Sequence, residues 1–380
     1  MLQQLFTLLR NADELFVALR AMRGTNTHED SWHLKLAGDW LVRAQTVHHD
    51  GGYAHSYALH AGWQPSYPET TGYIIPTMLR LSDHLGDARY ADSAVNAGNW
   101  LLGIQQPDGA FPDIAGQKQV FDTGQIIEGL LELHRRTGQV GFLDAAIRAG
   151  DFLTGCQDPG GCWTAFSYNG LPHTYYTRVA ANLLHLHAAT GDGKYRTAAL
   201  RNLDWTLSQQ GANGYFASMS FEPGSLPLLH TIIYVLEGLL DSYRITGDEK
   251  LMTAVRITAG KLVAINNGRD YILQARYNSA WGSPCREHCT TGLAQWAGLL
   301  LDIYSLDHVA EHRLLAERTL RFLKTRQLRH ADPDISGAIS GSIPLWGSYF
   351  RFAFNNWTIK FFIDALLRWE QITSERTTGN

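Results

Sequence analysis

Residues 122–163 read DTGQIIEGLLELHRRTG, then, after a three-residue link, FLDAAIRAGDFLTGCQDPGGCW. In both stretches apolar residues recur at spacings of three and four, the pattern of a helix with a buried face. The Thr-Gly between them is a helix stop, because glycine takes the left-handed C-cap position without a Cβ penalty. The unit is a helical hairpin that ends in a Gln-Gly-aromatic loop. Its first helix, IIEGLLEL, is apolar on most faces and belongs inside. Its second helix carries Asp and Arg on one side and belongs outside.

The same unit recurs along the chain. Residues 69–87 read ETTGYIIPTMLRLSDHLGD and 88–111 read ARYADSAVNAGNWLLGIQQPDGAF. Further copies start at His173 (HTYYTRVAANLLHLHAATGD), His230 (HTIIYVLEGLLDSYRITGD) and Cys289 (CTTGLAQWAGLLLDIYSLD). A last inner-type helix, NNWTIKFFIDALLRWEQ, starts at Asn355, and its outer partner is SWHLKLAGDWLVRAQ from Ser31. Aligning the turns makes Gly72, Gly124, Thr177, Ile233 and Gly292 equivalent, at spacings of 52, 53, 56 and 59 residues. Short connections make each pair antiparallel. Six buried helices ringed by six amphipathic ones predict an all-α fold, a closed (α/α)6 toroid over residues 31–370. A helical extension at 1–30 and a tail at 371–380 flank it. Strand signals are confined to loops such as DYILQARYNSAWG, residues 270–282.

Composition narrows the function. The 380 residues carry a formal net charge of -4 and 18% charged residues, so they advertise no basic face for nucleic acid or an anionic membrane. The longest apolar runs fall short of the roughly 20 residues that span a bilayer. The opening MLQQLFTLLRNADELF is interrupted by charge and lacks a basic start, unlike a secretory signal. Four Cys in 380 residues are too sparse for a disulfide scaffold, which predicts a cytoplasmic protein. CREHC, with Cys285, His288 and Cys289, meets half of a zinc pattern, and Cys156 and Cys162 flank a loop. These are read as packed thiols, with no metal and no cofactor expected.

The repeat resembles the (α/α)6 toroid shared by many glycosidases, polysaccharide lyases and sugar epimerases. ETTGYIIPTM, HTYYTRVA, LLHTIIY and NNWTIKFF resemble segments of proteins encoded in bacterial polysaccharide-biosynthesis clusters, which implies a glycan substrate and other biosynthesis proteins as partners. QQPDGAF, CQDPGGCW and QGANGYF resemble the Gln-x3-Gly-x-aromatic motif of triterpene cyclases and prenyltransferases. There the motif staples outer helices; the acidic motifs of terpene chemistry are absent from this sequence.

In such a toroid all inner helices run the same way, so their N-termini open on one rim. Six positive helix ends there favour an anionic ligand. The residues just before the aligned turns are rich in acid/base groups: Glu69, Asp122, His173, Tyr175 and His230 are the catalytic candidates. Arg178 would neutralise a uronate, with Tyr176, Tyr234 and Lys360 beside it. His288 stands at the equivalent place in the fifth unit. Tyr53, Trp63 and Tyr67 in the loop 48–69, together with Trp281, Trp346 and Tyr349 in other loops, present aromatic faces suited to sugar rings. Ordinary capping by the carboxylates and ordinary packing by the histidines and aromatics are the competing readings. The site therefore predicts an enzyme acting on an acidic sugar or oligosaccharide by His/Tyr/Glu acid–base chemistry, as a lyase or epimerase. A glycoside hydrolase using Glu69 and Asp122, and a non-catalytic glycan-binding or assembly protein, are the alternatives.

Overall fold

A computed structural model describes residues 12–24, 27–267 and 272–378; the reading of residues 1–11 lies outside them. A short helix α1 (Ala12–Ala21) precedes the ring. The outer helices are α2 (Asp30–Thr46), α4 (Ala88–Ile104), α6 (Val140–Gly155), α8 (Gly193–Ser208), α10 (Glu249–Asn267) and α12 (Ala310–Lys324). The inner helices are α3 (Pro68–Leu85), α5 (Val120–Thr137), α7 (Thr177–Thr190), α9 (Leu229–Thr246), α11 (Thr290–Asp307) and α13 (Asn356–Thr378). Each inner helix packs on the next, and α13 packs back on α3, so the ring closes as an (α/α)6 toroid. Helix α13 runs on to Thr378, past the boundary at 370 read from the sequence, because WEQITSER contains no Gly or Pro to stop it.

The Thr-Gly turns act as read: Gly138 and Gly191 cap α5 and α7 in the left-handed conformation, with φ of 70° and 74°. The inner helices are buried along nearly their whole upper halves, as at Thr290–Leu301 of α11. No described helix is long and apolar enough to cross a membrane.

The Gln-Gly loops tie the outer ring together. Gln105 Nε2 donates to the Gly109 carbonyl at 3.0 Å and to the Ala145 carbonyl of α6 at 2.9 Å. Gln157 does the same to Gly161 at 3.0 Å and to Ala198 of α8 at 2.9 Å. Gln210 reaches Ala254 of α10 at 2.9 Å. Gly109 has φ +91°, and a Cβ there would lie 2.1 Å from the Arg148 carbonyl oxygen, so only glycine fits.

Extended backbone occurs elsewhere than expected. The segment 272–282 holds only an isolated bridge from Leu228 to Arg276. The strands are β1 (Ser56–Ala58), β2 (Gly62–Trp63), β3 (His288–Cys289), β4 (Ser342–Ile343) and β5 (Ala353–Asn355). They form an antiparallel sheet β2-β1-β5 and a β3-β4 pair, which join loops from distant repeats over the N-terminal rim.

Candidate active site

The rim is built by the first turns of the inner helices. Pro68 at the start of α3 fixes the backbone where Tyr67 ends the preceding loop, and Glu69 follows in the first turn. Asp122 occupies the first turn of α5. The two carboxyls, 8% and 5% exposed, lie within electrostatic reach of each other and of the Tyr67 hydroxyl. Tyr73, Tyr175, Tyr234 and Tyr349 surround Glu69.

Helix N-termini favour carboxylates, yet desolvation wins here. Burial pushes the Glu69 carboxyl up to about 7, although the Tyr67 hydroxyl and the Arg178 charge hold it down in part. Burial, followed by the neighbouring Glu69 charge, pushes Asp122 well above the usual carboxylate range. The pair therefore carries a proton at neutral pH and titrates as a unit. Asp122 Oδ2 and Gln125 Nε2 are buried with no hydrogen-bond partner among the described residues, while His173 Nδ1 and the Tyr234 hydroxyl make no close bond but face the Ser220 backbone and Tyr73. Buried polar groups are nearly always satisfied, so these two orphans mark where substrate or water belongs.

The histidines stand beside the carboxyls. His173 stacks on Tyr175 with centroids 4.7 Å apart, and its Nε2 meets the Tyr168 carbonyl at 2.9 Å. His230 lies 4.3 Å from the Tyr234 ring, and its Nδ1 meets Gln295 Oε1 at 2.6 Å. Burial lowers both pKa values, His230 to about 4, so both rings are neutral at pH 7. Phe121 centres the aromatic wall, 5.2 Å from Tyr175 and 5.4 Å from Tyr176 and Tyr234. Tyr349 accepts from Trp357 Nε1 at 2.7 Å and lies 6.1 Å from His230.

Other candidates sit elsewhere. Arg178 turns its guanidinium to Glu128 at 3.1 Å and Gln125 at 3.3 Å. Lys360 pairs with Asp364 at 2.8 Å. Both line a separate cavity farther down the toroid axis. Tyr53 is buried against Ser93, and Trp63 packs between Trp40 and Tyr57. Trp281 donates to the Asn213 carbonyl and packs on Tyr215. His288 and the half-exposed Trp346 share a cleft with α1. Cys285, His288 and Cys289 do not converge: His288 Nδ1 bonds the Leu273 carbonyl, and Cys289 caps α11. Burial raises the Cys289 thiol to about 12. All four cysteines are free, and no three His, Cys, Asp or Glu side chains among the described residues could hold a metal.

Sequence reading did not single out Tyr73, hidden in the apolar run TTGYIIPTM. It also left out the ion network below the mouth, whose signal is charge at four-residue spacing on otherwise apolar helices, as in Lys360, Asp364 and Arg368.

A closed toroid with acid/base groups gathered at the inner N-termini is the architecture of a carbohydrate-active enzyme, and this chain is one. It belongs to the beta-L-arabinofuranosidase GH127 catalytic domain family, which residues 39–265 match. Among solved structures it is similar to the unsaturated glucuronyl hydrolase of Bacillus sp. GL1, responsible for glycosaminoglycan degradation. That match has 16% identity and a TM-score of 0.72, and it covers 90% of this chain and 97% of that one. The cellobiose 2-epimerase of Spirochaeta thermophila matches at 15% identity and a TM-score of 0.65, over 88% and 93%. No curated protein matches by sequence.

Proposed function

We propose that the chain is a glycoside hydrolase in which Asp122 and Glu69 form the acid–base pair. The observation that carries this is the buried carboxyl pair at the first turns of α3 and α5, with the Tyr67 hydroxyl beside it. A carboxyl kept protonated at neutral pH can donate its proton to a glycosidic oxygen. Asp122, raised by burial and by the neighbouring Glu69 charge, is assigned as that donor. Glu69, drawn toward ionisation by Arg178, supplies the carboxylate that takes a proton from water or meets the developing positive charge at the anomeric carbon. Unpaired Asp122 Oδ2 and the Tyr234 hydroxyl offer binding points for sugar oxygens.

Family membership makes a terminal β-L-arabinofuranoside the first substrate to test, and the glucuronyl hydrolase likeness makes an unsaturated glucuronyl disaccharide the second. Six helix N-termini at the rim support the acidic substrate, although Arg178 is already occupied by Glu128. A lyase or epimerase is the second reading. It is favoured by one observation: neutral His173, with its Nδ1 making no close bond, stacked on Tyr175. Assaying both substrates with the parent, Asp122→Asn and His173→Gln separates the readings. Hydrolysis lost in Asp122→Asn and kept in His173→Gln supports the pair; the opposite pattern overturns it.

A further inference from the structure

Below the mouth, on the toroid axis, lies a cavity of about 200 Å³ to which all six inner helices contribute. Five guanidinium or ammonium groups face five carboxylates there, with His185 beside Asp241. Arg178 pairs with Glu128, Lys360 with Asp364, and Asp302 with both Arg244 and Arg368. The Lys360–Asp364 pair is buried, and desolvating such a pair seldom adds stability over an apolar filling; Arg80, Arg244 and Arg368 keep 37–49% of their side chains exposed, so the cavity opens to solvent on their side.

The network leaves specific capacity unused. Arg80 and Arg244 donate through Nη2, Arg178 through Nε and Nη2, and Arg368 through Nε. Their four Nη1 groups donate to no described residue. Glu237 accepts one bond, from Gln295 Nε2 at 3.0 Å, and has no ion pair among the described residues. Spare donors and a spare acceptor thus line a polar space whose charges already balance. A charged ligand would upset that balance. A neutral molecule with many hydroxyls, each able to donate and accept, would fill it.

We propose that this axial cavity is a second binding site, for a single neutral sugar or polyol, separate from the carboxyl pair. Its size fits that class, because drug-sized ligands occupy about 300–1,000 Å³.

The test is calorimetric titration of the full chain with a panel of pentoses and hexoses, and with inorganic phosphate. Two variants address the cavity: Glu237→Gln, which keeps the shape, and Leu240→Trp, which fills the space. Glu69→Gln reports on the mouth. The expected result is a sugar-binding event that Glu237→Gln weakens about tenfold. Leu240→Trp abolishes the event and Glu69→Gln leaves it in place. Circular dichroism checks that Leu240→Trp folds, and Glu237→Gln decides alone if it does not. The proposal is overturned if no sugar binds below about 50 mM, if binding responds only to Glu69→Gln, or if phosphate binds and sugars do not.

Discussion

The two ends of the toroid axis use the same kind of residue to opposite effect. At the lower end three carboxylates have cations: Glu128 meets Arg178 at 3.1 Å, Asp302 meets Arg244 at 3.1 Å, and Asp364 meets Lys360 at 2.8 Å. At the mouth, Glu69 and Asp122 have each other and a ring of tyrosines. Burial would raise Asp364, but Lys360 and Arg80 outweigh it and hold the carboxyl far below the usual range. The mouth pair, equally buried, is driven the other way. Burial alone therefore does not set protonation on these helices; the partner does. The lower end stores charge, and the mouth stores a proton.

Four changes would break or sharpen that contrast. The largest effect belongs to the stored proton. Asp122→Asn and Glu69→Gln should each cut turnover about 10²–10⁴-fold, measured on the substrate that the parent cleaves, while the far-UV circular dichroism of both stays that of the parent. Asp364→Asn should leave activity measurable but cost about 3–5 kcal/mol, because Lys360, 4% exposed, loses its partner. Urea unfolding at pH 7 reads that loss.

The third change is pH-dependent. Glu69 titrates higher when folded, about 7, than the 4.5 expected when unfolded. The stability it confers is full below the unfolded value and is lost as pH rises through about 7. Stability of the parent relative to Glu69→Gln should therefore fall between pH 4.5 and 8, by up to about 3 kcal/mol. A flat difference across that range would remove the raised carboxyl. The smallest effect is at His185, whose ring is 41% exposed beside Asp241. Its pKa is raised: burial opposes the shift, but Asp241 outweighs it. The pair helps only at lower pH, fading as pH rises past the His185 value. With solvent screening, His185→Gln should cost no more than about 0.5 kcal/mol at pH 5.5.

The hairpins were legible because their signals are local: Thr-Gly stops at Gly138 and Gly191, and apolar spacing of three and four. The mouth was legible in part, since Glu69 and Asp122 sit three and two residues before the aligned glycines Gly72 and Gly124. The lower network was not, because its partners lie on different helices: Arg178 and Glu128 are 50 residues apart in sequence. A reading confined to one helix sees Arg178 at a helix start and assigns it to the rim; its long side chain instead reaches Glu128. Loop aromatics were harder still. Trp281 and Trp346 look alike in sequence, but one is fixed by the Asn213 carbonyl and the other is 53% exposed.

The glutamine staples act as a ruler. From Gly72 to Gln105, from Gly124 to Gln157 and from Thr177 to Gln210 the chain runs 33 residues each time. From those glutamines to the next aligned position it runs 19, 20 and 23. All the growth in repeat length among these units falls between a staple and the following inner helix, in the segments that rise over the mouth. The scaffold therefore has a fixed gauge, and length can be added at the business end without altering the pitch of the ring. Grafting or extending a mouth loop after Phe111, Trp163 or Phe216 should retune what enters the toroid, while an insertion inside any 33-residue interval should throw the whole ring out of step.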